Sequence, residues 1–218
     1  IISFYQMNRE EEKLEKNYRY GKKIRFKKLN HGKAGNISVR WKDGLLITPS
    51  GIPYDKIKPK DIVFIDKNKS HHGIKKPSIE TPFHFDIIKN KQDVNCVVHT
   101  HAPYASGFSI LGKPIPSYHY MIAFFGGDDI PCTKFAIPGS QELSNYAVKA
   151  LKNRKACLLA NHGVIITGKD IDEASFLAEE LETLCKQITI AKINGTAKLV
   201  GKKDMRKIIE AVKTYGKQ

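Results

Sequence analysis

"ISVRWKDGLLITP", residues 37–49, is two apolar runs broken by Lys42-Asp43-Gly44. A short glycine-bearing break between strand-prone runs marks a hairpin, whose strands must run antiparallel. "ACLLANHGVIITG", residues 156–168, repeats the pattern around Asn161-His162-Gly163. "DIVFID" (61–66) and "NCVVHTH" (95–101) add two strand candidates, the second of half-buried type. "KNKSHHGIKK", between them, reads as a polar loop. Hairpin signals thus outnumber clean βαβ units. The expected fold is a single α/β domain, a central mostly antiparallel β-sheet flanked by helices.

The helices have their own signals. In "PSIETPFHFDIIKNK" Thr81 is a good N-cap and Pro82 suits the first helical position. Phe83, Ile87 and Ile88 lie near one face, which puts Glu80 at the mouth of the helix. Helical patterns recur over 102–111 and 140–152. Asp170 followed by Glu173 is a cap signal. Behind it Ala174, Leu177, Ala178, Leu181, Leu184, Cys185 and Ile188 trace a long amphipathic helix. A shorter helix spans 205–212. Residues 10–29 carry an imperfect helical period. Residues 1–8 read as disordered or extraneous sequence, and 213–218 as a mobile tail.

The 218 residues, 41 % hydrophobic, suffice for a core without staples. No apolar run nears the roughly 20 residues of a membrane span, and the charged N-terminal stretch is no secretory signal. Cysteines at 96, 132, 157 and 185 form no C-x-x-C pair and read as reduced thiols of a cytoplasmic protein. A formal charge of +15 draws polyanions and phosphorylated metabolites alike. The lysines are dispersed and no nucleic-acid-binding module is present, so neither nucleic acid nor membrane is an expected partner.

On a strand, His99 and His101 point the same way, with Cα atoms roughly 6.5–7 Å apart. That spacing serves a metal, at ~2.0–2.1 Å per nitrogen, or a polar pocket equally well. His162, between two apolar segments and before a glycine, projects from a tight turn beside a sheet. Alone it is most often a turn histidine. With the H-x-H pair it would complete a His₃ set, and three protein ligands with an open position describe catalytic zinc.

Seven stretches, in order and spacing, resemble the class II aldolase/adducin family, and within it the zinc-dependent L-fuculose-1-phosphate aldolases. They are "GNISVR", "LITPSGIPY", "PSIETPFH", "VVHTHA", "HYMIAFFGGDDIPC", "LKNRKACLLANHG" and "KTYG". The resemblance implies one Zn²⁺ per chain on His99, His101 and His162. It implies that Glu80 ligates the resting zinc, then leaves it to act as acid/base. Gly35, Asn36, Ser50, Gly51 and Ser78 match the loops that hold a substrate phosphate. Ile79 stands where the family aldolases have a second serine. Tyr120 matches a tyrosine that supports protonation at the aldehyde end, and Tyr215 a tail tyrosine over the active site. The implied protein is a homotetramer with sites between subunits. The implied reaction is retro-aldol cleavage of L-fuculose 1-phosphate to dihydroxyacetone phosphate and L-lactaldehyde, through a zinc-stabilised enediolate.

Rivals differ at named positions. Aldolases of 5-deoxyribulose 1-phosphate or its methylthio analogue share this machinery, and Ile79 and Pro138 alter the pocket that separates them. Sugar-phosphate 4-epimerases carry an aspartate where this chain has Glu80. A non-catalytic adducin-like module lacks the three histidines. A nucleic-acid-binding module predicts steep salt dependence and no metal requirement.

Overall fold

The computed structural model describes residues 29–215. The expected helix over 10–29, apart from buried Leu29, and the expectation for 1–8 lie outside it. So do residues 216–218 of the tail.

Nine strands form in chain order: β1 (Asn36–Trp41), β2 (Gly44–Ile47), β3 (Val63–Ile65), β4 (His71–His72), β5 (Cys96–Thr100), β6 (Ile115–Pro116), β7 (Asp129–Ile130), β8 (Ala156–Leu159) and β9 (Gly163–Gly168). Seven make one sheet in the order β4-β3-β2-β1-β5-β9-β8, and β6 pairs with β7 apart from it. All pairs between these strands are antiparallel. Both hairpins form where the glycine-bearing breaks stand. Gly44 admits no side chain there: a Cβ would sit 1.9 Å from the Ile65 carbonyl.

The helices are α1 (Thr81–Asn90), α2 (Pro103–Ile110), α3 (Gln141–Ala150), α4 (Ile171–Asn194) and α5 (Lys202–Val212). They cover both faces of the sheet, and strand alternation sorts the core accordingly. Cys96 and Val98 of β5 pack with Phe108, Leu177, Leu181 and Leu184. Val97 faces the other way, toward Phe83, Ile87 and Leu143. β5 is therefore buried along its whole length, not half-buried as its polar residues suggest. It lies between β1 and β9, and His99 and Thr100 are interior because both flanking strands close over them.

α1 matters most for the site. It starts at Thr81, one residue earlier than the cap signal implies, so Glu80 takes the N-cap position without a capping side-chain bond. The Thr81 hydroxyl instead donates to the Ser78 carbonyl at 2.6 Å. The far end is anchored by Arg40, whose guanidinium donates to the carbonyls of Ile88, Lys91 and Val94. Asp86 ties the middle to α3, accepting from Gln141 at 2.6 Å and Ser144 at 2.7 Å. These bonds fix the helix, and with it the position of Glu80.

The Asp170 cap forms, accepting from the Glu173 N–H at 2.8 Å, while the Glu173 carboxylate accepts from Lys169 N–H. Within the polar loop, His71 and His72 make a short exposed edge strand, and His72 pairs with Asp66 at 2.9 Å. All four cysteines are free. No helix among the described residues is long and apolar enough to cross a membrane.

Candidate active site

Four segments deliver side chains to one corner of the sheet. β5 supplies His99, and His101 follows just past its end. The β8–β9 turn supplies His162, the start of α1 supplies Glu80, and β1 places Asn36 directly across from His99. The three imidazole rings lie with centroids 4.8, 4.8 and 5.0 Å apart. Among the described residues they are the group of histidine, cysteine and acid side chains able to hold a metal.

The turn that aims His162 is tightly made. Asn161 adopts φ +56°, a left-handed conformation that asparagine tolerates better than most residues. Gly163 then passes so close that a Cβ would meet the Thr100 carbonyl at 2.6 Å, His101 Cδ2 at 3.0 Å and His99 Cε1 at 3.2 Å. Alanine at Gly163 is expected to cost about 1–3 kcal/mol of stability and to weaken metal retention. Urea midpoints and metal content check this. An unchanged midpoint with full metal would refute the crowding.

Hydrogen bonding favours a cation between these groups. His99 Nδ1 lies 2.9 Å from the Val164 carbonyl, which only accepts, so that nitrogen carries the hydrogen. His99 Nε2 is then bare in the neutral ring. It faces His101 Nε2 at 2.9 Å and a Glu80 oxygen at 3.3 Å. One proton on His101 satisfies the first contact but leaves the carboxylate against a lone pair. A divalent cation resolves that conflict, and the Val164 bond is the usual outer support of a ligating histidine. Burial pushes His99 below its ordinary pKa, and burial with His99 and His162 nearby pushes His101 to about 4. Burial thus disfavours the charged form of both rings, and the neutral form is the one that ligates a metal. Burial alone would raise Glu80, but His99, His162 and Asn36 outweigh it and hold the carboxyl well below the usual range. Its other oxygen lies 3.2 Å from His162 Nε2.

The residues expected to hold phosphate stand around the same corner. Ser78 N–H donates to the Thr48 carbonyl at 3.3 Å, and Pro49 bridges to Pro77, so the Ser50-Gly51 loop runs alongside Ser78. Ser78 is buried, its hydroxyl accepting from Glu80 N–H at 3.2 Å, while Ser50 and Gly51 are exposed. Gly35 packs against Asn30 and the His99 carbonyl, where a Cβ would fall at 2.4–2.7 Å. Both ends of the Asn36 side chain are engaged, Nδ2 with Glu80 at 2.7 Å and Oδ1 with His84. Ile79 is 68 % exposed.

The tyrosines are placed differently. Tyr120 opens a 3₁₀ helix, Tyr120–Phe125, is 51 % exposed and lies against His119. Tyr215 is 75 % exposed and meets Phe124 edge-on. The two stand at the same 3₁₀ helix, which also carries Phe124. Among the described residues, neither makes a hydrogen bond or ring contact with Glu80 or the three histidines.

Sequence reasoning missed two contributors. Asn30 accepts from the His101 N–H at 2.9 Å and so orients that segment. His84 lies four residues after Glu80, a helical spacing that put the two on one face and was the available signal.

Residues 15–189 match the family described as Class II Aldolase and Adducin N-terminal domain. The chain belongs to this family. It is 47 % identical over 188 residues to the 5-methylthioribulose-1-phosphate/5-deoxyribulose-1-phosphate aldolase of Rhodospirillum rubrum, covering 86 % of this chain and 85 % of that one. It is 45 % identical to the L-fuculose phosphate aldolase of Escherichia coli strain K12, covering 86 % and 88 %. A solved L-fuculose 1-phosphate aldolase superposes with a TM-score of 0.88 at 34 % identity, covering 92 % of this chain and 95 % of that one. The protein is a class II aldolase, a lyase, and class II aldolases depend on a metal. Its fold, α/β with an antiparallel sheet between helices, is the family's own.

Proposed function

We propose that this aldolase uses zinc to cleave a ketose 1-phosphate, L-fuculose 1-phosphate foremost, into dihydroxyacetone phosphate and a small aldehyde. The convergence of three imidazoles and the Glu80 carboxylate, from segments far apart in sequence, carries the reading. A zinc ion held by His99, His101 and His162 would supply the electron sink that a carbanion beside a carbonyl needs.

The chain's own residues do the rest. Cleavage breaks the C3–C4 bond and removes the proton of the C4 hydroxyl. Tyr120, with Tyr215 over the site, manages that proton at the aldehyde oxygen. Glu80 then delivers a proton to C3 of the dihydroxyacetone phosphate half, and takes it back in the condensation direction. Ser78, Ser50, Gly51, Gly35 and Asn36 hold the phosphate with hydroxyl, amide and backbone donors. The N-terminal end of α1, beside Ser78, adds positive potential. Completing the site with Tyr120 and Tyr215 requires a neighbouring protomer, in line with a homotetramer. The compartment that fits the free thiols is the cytoplasm.

Incubating the zinc-loaded protein with dihydroxyacetone phosphate and a panel of aldehydes tests the reading. L-Lactaldehyde should give the highest kcat/KM. The exposed Ile79, beside Gly139 of the "FAIPGS" segment, favours a second reading, 5-deoxyribulose or methylthioribulose 1-phosphate. Acetaldehyde or a methylthio-substituted aldehyde ranking first would select it, and no condensation with any aldehyde would end both readings.

Ile79→Ser is expected to lower KM for the phosphorylated ketose. One added hydrogen bond to a charged group is worth roughly 1.5–3 kcal/mol. An unchanged or higher KM would mean that phosphate is not the group held there.

A further inference from the structure

Every proton in the chain of side chains behind Glu80 can be assigned. A carboxylate only accepts, so Asn36 must turn its amide nitrogen to Glu80, where it lies 2.7 Å from Oε2. Asn36 Oδ1 then faces His84 Nε2, which must carry a hydrogen. His84 Nδ1 is left bare and accepts from the Ser38 hydroxyl at 2.7 Å. The bonds run one way, Ser38 to His84 to Asn36 to Glu80.

The chain is built into the fold. Asn36 and Ser38 are alternate residues of β1, so they share the face that α1 covers. Glu80 and His84 are one turn apart on α1. His84 is wholly buried and stacked on Phe83 at 4.7 Å, and its two nitrogens are each engaged, by Ser38 and by Asn36. A core position next to Phe83, Phe85 and Ile87 would accept an apolar side chain. A polar ring there, with both nitrogens bonded, does what an apolar one cannot: it keeps the Asn36 amide from flipping its oxygen toward the carboxylate.

We infer that His84 is a positioning residue: through Asn36 it holds the Glu80 carboxylate between His99 and His162. This rests on reading that cluster as a metal site.

The test uses the full chain and zinc alone, with affinity read by competition against a chelator. His84→Met should weaken zinc binding by about 10-fold, the low end of what losing a partner of a ligand costs. His84→Gln, whose amide N–H still donates to Asn36, should recover most of that loss. Ser38→Ala should fall between, because the ring is then free to take its other tautomer. If His84→Met does not fold, the order wild type, His84→Gln, Ser38→Ala still decides. Variants that all bind as tightly as wild type, or a His84→Gln as weak as His84→Met, would show that the ring only fills space. The affinity order stands apart from turnover. A wild type that binds zinc yet exchanges no proton with dihydroxyacetone phosphate would sink the aldolase reading and leave this one intact.

Discussion

Alanine at His99, His101 or His162 is expected to strip the metal and end turnover, whereas glutamine at Glu80 should keep most of the metal and still lose the chemistry. Each imidazole is one of three converging nitrogens, and losing one leaves a two-nitrogen site. His99 is the most constrained, with Nδ1 committed to Val164 and Nε2 to the cluster. Glu80→Gln changes little in shape. It retains an oxygen for the cluster but cannot take or give a proton near neutrality. Removing a general acid/base lowers rates by about 10²- to 10⁴-fold. Metal per chain after dialysis and isotope exchange into dihydroxyacetone phosphate measure the two effects separately. A histidine variant with full zinc and full turnover would break the tripod assignment. A Glu80→Gln protein exchanging at the wild-type rate would move the acid/base elsewhere.

The H-x-H pair was legible because its geometry is local: alternate strand residues put two rings on one face. His162 was legible as a turn histidine beside the sheet, and its assignment to the same site came from the family resemblance. Glu80 was legible only as the mouth of a helix, and its aim came from the family resemblance. Thr81 looked like the cap because its side chain is the better capping group. Tertiary structure overrode that: the Glu80 side chain turns into the cluster, and Thr81 bonds Ser78 instead. The double burial of β5 was hidden because His99 and Thr100 make it look half polar. Inside, the Val164 carbonyl partners the ring that made the strand look exposed. The His84–Asn36 contact joins a helix to a strand 48 positions away, which no periodicity reveals. The interlock of "FFGGDDI" with "LKNRKA" is of the same kind. A Cβ at Gly127 would lie 2.1 Å from the Arg154 guanidinium carbon and would displace that guanidinium, which binds Asp129 at 2.7 Å.

Tyr120→Phe, and deletion from Tyr215 onward, are each expected to slow ketose cleavage by about 10- to 1,000-fold, within the reach of general acid catalysis and positioning. Both should leave isotope exchange into dihydroxyacetone phosphate nearly intact. On the proposed reading exchange needs Glu80, the three histidines and the phosphate loops, and Glu80, His99, His162 and Ser78 stand together within one chain. Cleavage also needs a proton managed at the aldehyde oxygen. A phenol suits that task because it donates a proton yet stays neutral near pH 7. Within one chain the two tyrosines are exposed, Tyr120 leading the helix that carries the Phe124 under Tyr215. On the proposed reading they act on a neighbouring copy's histidines, and the loss should then be complementable. Mixing inactive His101→Ala subunits with Tyr120→Phe subunits should restore cleavage in a ring of like contacts, to about a quarter of the wild-type rate for random equal assembly. No recovery on mixing, together with exchange and cleavage falling in parallel in the single variants, would reduce both tyrosines to supports of the fold.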